Sequence, residues 1–316
     1  MGRSIRRATL RAPRTPAVAA RTRQLPPVVS SAVLTATLLA LGAAVLHAGW
    51  NLAVKQTPHD RFIALWAQFG LGGLIALAAL IASGGMPAAG WKWAVMSGSI
   101  HLPYTLLLSR AYGHGDFSQV YPIARGGGAF LAAIGGVVLL GDHAKAWTIV
   151  AIITVACGLA LLAGRARGPA VITAAGVAAT ICVYTLLDSK GSRVTEVPHT
   201  GLIGDVGYGL ATAVMTTVSL SAFGLATHRA ADLRVALRVD WRKFLLAGIA
   251  SLITYTLVLV AVRFAAVGYV TALRESSVVL AALVGWRFLG EGQVRRRLTA
   301  TGVVVTGLVL LVTLGR

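Results

Sequence analysis

Acidic side chains are scarce in this sequence: 10 Asp and Glu stand against 29 Lys and Arg in 316 residues, a formal net charge of +19. Charge of either sign is scarce too, at 12% of residues, where a soluble domain carries about 25%. Such a chain is solvated mostly by lipid. In a soluble protein the positive excess would point to nucleic acid. Here the basic residues lie in an N-terminal tail and between apolar runs, so the charged partner expected is membrane lipid and no nucleic acid. Only two cysteines occur, Cys157 and Cys182, both inside apolar runs, which excludes a disulfide or cysteine-metal framework and leaves them as small hydrophobes. The seven histidines, at 47, 59, 101, 114, 143, 199 and 228, include no two at ligand spacing on one helix, so neither a metal nor another cofactor is expected. No GxxxxGK[ST] loop is present, and no connection is long enough to fold as a nucleotide-binding domain, so direct drive by ATP is not expected either.

What the chain has instead is apolar length. Hydrophobic residues make up 56%, and the mean hydropathy is +0.76. Ten apolar segments follow one another, at 32–54, 62–83, 91–110, 117–141, 146–164, 170–189, 201–226, 243–263, 267–290 and 297–314. Each is long enough to cross a hydrocarbon core about 30 Å thick as a helix. Ahead of them, residues 1–31 are rich in Arg, Pro and Ala with no acid, and read as a disordered basic tail. The pair Arg6-Arg7 is not a twin-arginine signal, because the apolar segment begins too far downstream and lacks a cleavage site.

The segments repeat. "YPIARGGGAFLAAIGGVVLLGD" from Tyr121 to Asp142 returns 149 positions later as "VTALRESSVVLAALVGWRFLGE" from Val270 to Glu291. Arg125 falls on Arg274, Gly141 on Gly290 and Asp142 on Glu291. Gly128, Ala132 and Gly136 fall on Ser277, Ala281 and Gly285, two stripes of small residues that let another helix approach closely. "YTLLL" from Tyr104 returns as "YTLVL" from Tyr255, shifted by 151, and "CGLALL" from Cys157 returns as "TGLVLL" from Thr306. Helices 3–5 therefore match helices 8–10, giving repeats at 32–165 and 169–316. Five helices per repeat is an odd number, so the second repeat must enter the membrane inverted relative to the first. The expected fold is an all-α membrane protein of ten transmembrane helices, two inverted five-helix repeats around a central cavity.

Arg125 and Arg274 are the chemical anomalies. At 1.5 Å per residue they lie about 12 Å and about 10 Å into their helices, near the bilayer midplane. An arginine there costs at least about 2.5–3.5 kcal/mol on insertion scales, so both should face a cavity or a counter-charge. Glu275 adjoins Arg274 and cannot face it along one helix, but it could pair with Arg125 across the repeat interface. A purely structural ion pair is the competing reading. Helix 4 is expected to begin at the capping box Asp116-Phe117-Ser118-Gln119, and Pro122 with Gly126, Gly127 and Gly128 suggests a weakened or broken segment around Arg125. Tyr121 lies one turn before that arginine.

Helix 1 ends in "HAGWN", where His47, Trp50 and Asn51 share a face that Lys55 continues; they line a substrate path or anchor the helix end at the interface. Helix 6 places Tyr184 and Asp188 one turn apart. Asp188 and Glu275 are the candidate proton carriers, since a carboxyl removed from water holds its proton more firmly. Asp142 and Glu291, each between two helices, suit the N-terminus of the following helix, and Arg263 and Arg287 suit snorkelling at helix ends. Between helices 7 and 8, Arg234, Arg238 and Arg242 recur every four residues beside Ala230, Leu233, Leu237 and Trp241, the pattern of a short amphipathic helix for an anionic headgroup layer.

"LHAGWN", "YPIARGG" and "ALRESS…LGE" together resemble EamA-type members of the drug/metabolite transporter superfamily, over roughly residues 32–314. The resemblance implies a multi-pass permease of the plasma (inner) membrane, often an exporter of amino acids or small metabolites, with both termini cytoplasmic. Lys and Arg divide evenly between the two sides, so charge alone does not orient the chain. The function expected is secondary-active transport of a small polar metabolite with an anionic group, driven by a proton or counter-substrate gradient, and not an enzyme. The alternative is a membrane-embedded enzyme acting on a lipid or lipid-linked substrate, which would need a nucleophile, base or metal cluster that the chain does not display.

Overall fold

A computed structural model of the chain describes residues 31–140, 146–163, 168–195, 201–261, 264, 270, 273–290 and 294–313. The basic tail through residue 30, and Asp142, Arg263 and Glu291, lie outside the described residues. Among the described residues there are ten helices and no strand. They are α1 Ser31–Lys55, α2 Arg61–Ala82, α3 Ala88–His114, α4 Phe117–Leu140, α5 Ala146–Ala163, α6 Pro169–Thr195, α7 Gly201–Ala226, α8 Ala230–Ala261, α9 Ser277–Leu289 and α10 Val294–Thr313. Five stretches are long and apolar enough to cross a membrane: Ser31–Lys55, Arg61–Ala82, Pro169–Thr195, Val206–Ala226 and Ala230–Val258.

The distribution of side chains is that of a protein in lipid. In α1 the small residues Ala36, Ala40, Ala43 and Ala44 are fully buried, while the larger Leu34, Leu38, Leu41 and Val45 are exposed. In water that arrangement would waste the better hydrophobes. In a bilayer, contact between helices is driven by close packing, and small residues permit it.

α1 packs on α8 as α6 packs on α3, and α2 packs on α8 as α7 packs on α3; α2 meets α7, α4 meets α9, and α5 meets α10. The α5–α10 contact is reciprocal residue by residue. A Cβ on Gly158 would lie 2.7 Å from the Val304 nitrogen and 3.0 Å from the Ala300 carbonyl oxygen. A Cβ on Gly307 would lie 2.8 Å from the Val155 nitrogen and 3.0 Å from the Ala151 carbonyl oxygen. All three correspondences (158 with 307, 155 with 304, 151 with 300) are 149 positions apart, the same shift that relates the two arginines.

Two local expectations need correction. The helix starts at Phe117 as the capping box suggests, with the Asp116 carboxylate bound by Arg297, which also reaches Ser118. But α4 runs unbroken through Pro122 and the three glycines. Those glycines serve approach rather than weakness: a Cβ on Gly126 would press Val304 of α10, and Cβ atoms on Gly127 and Gly128 would press Ala178 and Ile181 of α6. The gain in packing outweighs the roughly 1 kcal/mol that a glycine forfeits in a helix. The interruption lies just before α9 instead. Leu273 and Arg274 are helical, Glu275 and Ser276 form a turn, and α9 begins at Ser277, with i to i+3 bonds from Ser276 N to Leu273 O (3.1 Å) and Val278 N to Glu275 O (3.0 Å).

Ser277, Ala281 and Gly285 are all buried, so the small-residue stripe of α9 is a packed face; the surroundings of Gly136 lie outside the described residues. Ala281→Leu forces three more carbons into that contact and should destabilise by about 1–3 kcal/mol. The check is the fraction of monodisperse protein recovered from membranes by size exclusion; recovery equal to wild type would place this face elsewhere than in the interior.

The connection between α7 and α8 is helical from Ala230, with a kink at Asp240 (φ −126°, ψ 22°). Leu233, Ala236 and Leu237 pack on Phe62, Trp66 and Leu220, while Arg234, Arg238 and Arg242 are exposed. Trp241 departs from the expected apolar face: next to the kink, it is exposed, with the Arg242 guanidinium 5.5 Å from its ring centroid. At the kink, Asp240 binds Lys243 (2.7 Å) and His59 (2.9 Å).

Candidate functional site

The site is built where α4, α1 and the turn before α9 meet. The glycines after Arg125 seat α4 hard against α6 and α10, which fixes the arginine in the interior. The turn at Glu275–Ser276 delivers a carboxylate to it: Arg125 Nη2 donates to Glu275 Oε1 at 2.7 Å. The two residues are 4% and 2% exposed, so this is an enclosed ion pair and not a surface one. The pair is the Arg125–Glu275 partnership that the adjacency of Arg274 and Glu275 leaves open.

The pair does not satisfy its surroundings. Arg125 Nε, Arg274 Nε, Glu275 Oε2, His47 Nε2 and Trp50 Nε1 are all buried without a hydrogen-bond partner among the described residues. His47 and Trp50 are edge to face, with ring centroids 5.0 Å apart, and His47 lies 6.2 Å from Tyr121. Both arginines are within electrostatic reach of His47, and of Tyr104 and Tyr184. Buried polar groups are normally paired, and each exception requires a reason. Here three of the unpaired atoms are obligate donors, the two guanidinium N–H groups and the indole N–H. With two arginines against one glutamate, the charge of this group is net positive.

Other residues from the same sequence patterns have different duties. Asn51 is occupied at both ends of its amide: Oδ1 accepts from the Tyr112 hydroxyl at 2.7 Å, and Nδ2 donates to the His47 carbonyl at 2.8 Å. Lys55 donates to the carbonyls of Tyr112 (2.8 Å) and Gly115 (2.6 Å), a cation closing the C-terminus of α3. The stripe on α1 thus divides, with His47 toward the arginines, Trp50 edge-on to His47 and Phe69, and Asn51 and Lys55 tying α1 to α3.

On α6, Asp188 Oδ1 accepts from the Tyr208 hydroxyl at 2.9 Å. Tyr184 stacks on His101 with centroids 4.6 Å apart, and lies edge-on to Tyr104 at 5.8 Å. His101, Tyr112 and Tyr208 are not distinguished by sequence pattern. Tyr104 and Tyr255 are, because each opens a copy of the repeated "YTLxL". Among the described residues no three His, Cys, Asp or Glu side chains gather as a metal set.

No family model and no curated protein matches this chain. A solved structure, described only as the crystal structure of a protein, is similar over 90% of this chain and 99% of its own, with a TM-score of 0.59 and 18% identity. That likeness concerns the fold alone.

Proposed function

We propose that this chain is a secondary-active transporter of a small polar metabolite carrying a carboxylate or phosphate, and an EamA-like member of the drug/metabolite transporter superfamily. In this reading ten helices span the plasma (inner) membrane with both termini cytoplasmic, as two inverted five-helix repeats about a central cavity. The reciprocal contacts of Gly158 and Gly307 support the repeat, since an interface across a two-fold axis pairs each residue with its partner's equivalent.

The observation that carries the function is the unmatched set of buried donors around Arg125 and Glu275. An anionic group supplies the acceptors they lack, and a guanidinium binds it through two parallel bonds. Arg274 is the better first contact, since Arg125 is already engaged by Glu275. A substrate anion drawing Arg125 away would release Glu275 to take a proton, which gives coupling a physical route; Asp188 is the second carboxyl suited to that duty.

The test is flux in proteoliposomes holding the full chain, over a panel of amino acids, organic acids and sugar phosphates. Transported compounds should emerge chemically unchanged, and Arg274→Ala should reduce flux at least about tenfold, the worth of one charge-assisted hydrogen bond. Wild-type flux in folded Arg274→Ala protein would remove the anion site. Chemical conversion of added lipid would favour the enzyme reading.

A further inference from the structure

Asp188 is a half-buried carboxyl that the anion site leaves unused. Its carboxylate makes no ion pair with Lys, Arg or His among the described residues; Lys190, two positions on, is exposed. His101 is not within ion-pair distance of it, and its Nδ1 donates instead to the Ser97 carbonyl oxygen at 2.8 Å.

Aromatic rings, together with the Ser97 side chain, surround Asp188. Tyr208 donates to it, Tyr184 stands one turn before it on α6, His101 stacks on Tyr184, and Tyr255 is within its electrostatic reach. Two glycines hold this box in shape. A Cβ on Gly191 would overlap the Tyr208 ring, and one on Gly209 would overlap the Tyr255 ring, so each tyrosine sits in a notch of the neighbouring helix. A carboxylate beside tyrosine and histidine rings, with no ion-pair partner among the described residues, suits an organic ammonium ion, which gains a charged hydrogen bond and cation–π contacts together.

We propose that Asp188, with Tyr184, Tyr208, Tyr255 and His101, is a binding site for the ammonium group of an organic amine. Tyr184 and Tyr255 also lie within electrostatic reach of Arg274, so the two sites of opposite sign share a wall. This deepens the transport reading and rests on it for its consequence: the substrate carries an ammonium group as well as an anionic one.

The experiment is calorimetric titration of the purified full chain with n-pentylamine and, separately, with sodium hexanoate, at one pH near neutrality. Pentylammonium should bind wild type. Asp188→Asn should weaken it by about 10- to 100-fold, the range for a hydrogen bond to a charged group. Tyr255→Leu, which keeps the carboxylate, should weaken it about threefold or more, and it carries the test if Asp188→Asn does not fold. No binding of pentylammonium, equal binding in both variants, or equal heats from sodium chloride alone would each overturn the proposal. Failure of hexanoate to bind counts against the anion site, and leaves the amine result to stand or fall separately.

Discussion

Arg125→Ala should destabilise the folded chain by about 3–5 kcal/mol, because it leaves the Glu275 carboxylate buried and uncompensated. Glu275 is 2% exposed, so bulk solvent does not reach it to take over from the guanidinium. Loss of folding alone would not tell a structural ion pair from a working one. The double replacement of Arg125→Met with Glu275→Met does. Both charges leave together and the volumes stay close, and exchanging a buried pair for hydrophobic residues is often neutral or stabilising. The double variant should therefore recover most of the melting temperature lost in Arg125→Ala, while transport stays abolished. If transport returned along with folding, the pair would be structural and the anion site would have to lie elsewhere.

The arginines are legible in the sequence because charge inside an apolar run is costly wherever the chain folds, so its presence demands a partner. Glu275 follows from the same reasoning, as neighbours on a helix point apart. The glycines after Arg125 mislead for a physical reason as well: propensity describes an isolated helix, and in α4 the contacts with Ile181 and Val304 decide the outcome. The interruption before α9 carries no such local signature, since "LRESS" contains neither proline nor glycine. Asn51 could not be sorted from His47 and Trp50 by spacing alone, for its partner, the Tyr112 hydroxyl, lies 61 residues away. His101 and Tyr208 are ordinary residues until the fold sets them beside Asp188.

The repeat itself can be tested by symmetry of effect. Gly158→Ala and Gly307→Ala each place a methyl carbon against the backbone of the opposite helix, at 2.7 Å and 2.8 Å from the Val304 and Val155 nitrogens. Backbone in a helix cannot rotate away as a side chain can, so α5 and α10 must separate and the packing along both suffers. Each replacement should cost about 1–3 kcal/mol, the range for overpacking. Gly302→Ala, on the same helix as Gly307, meets nothing within 4 Å and should be neutral or slightly stabilising through its gain in helix propensity. The informative quantity is the ratio of the first two losses, measured as melting temperatures of purified protein. If the halves are related by a two-fold exchange, Gly158 and Gly307 occupy equivalent environments and the two losses should agree to within about 0.5 kcal/mol, the usual margin for independent sites. Because the two glycines sit at one crossing, the double variant should cost less than the sum: once the first methyl has pushed the helices apart, the second finds part of the space already made. Unequal single effects, with a double variant that is simply additive, would mean that α5 and α10 pack without that symmetry.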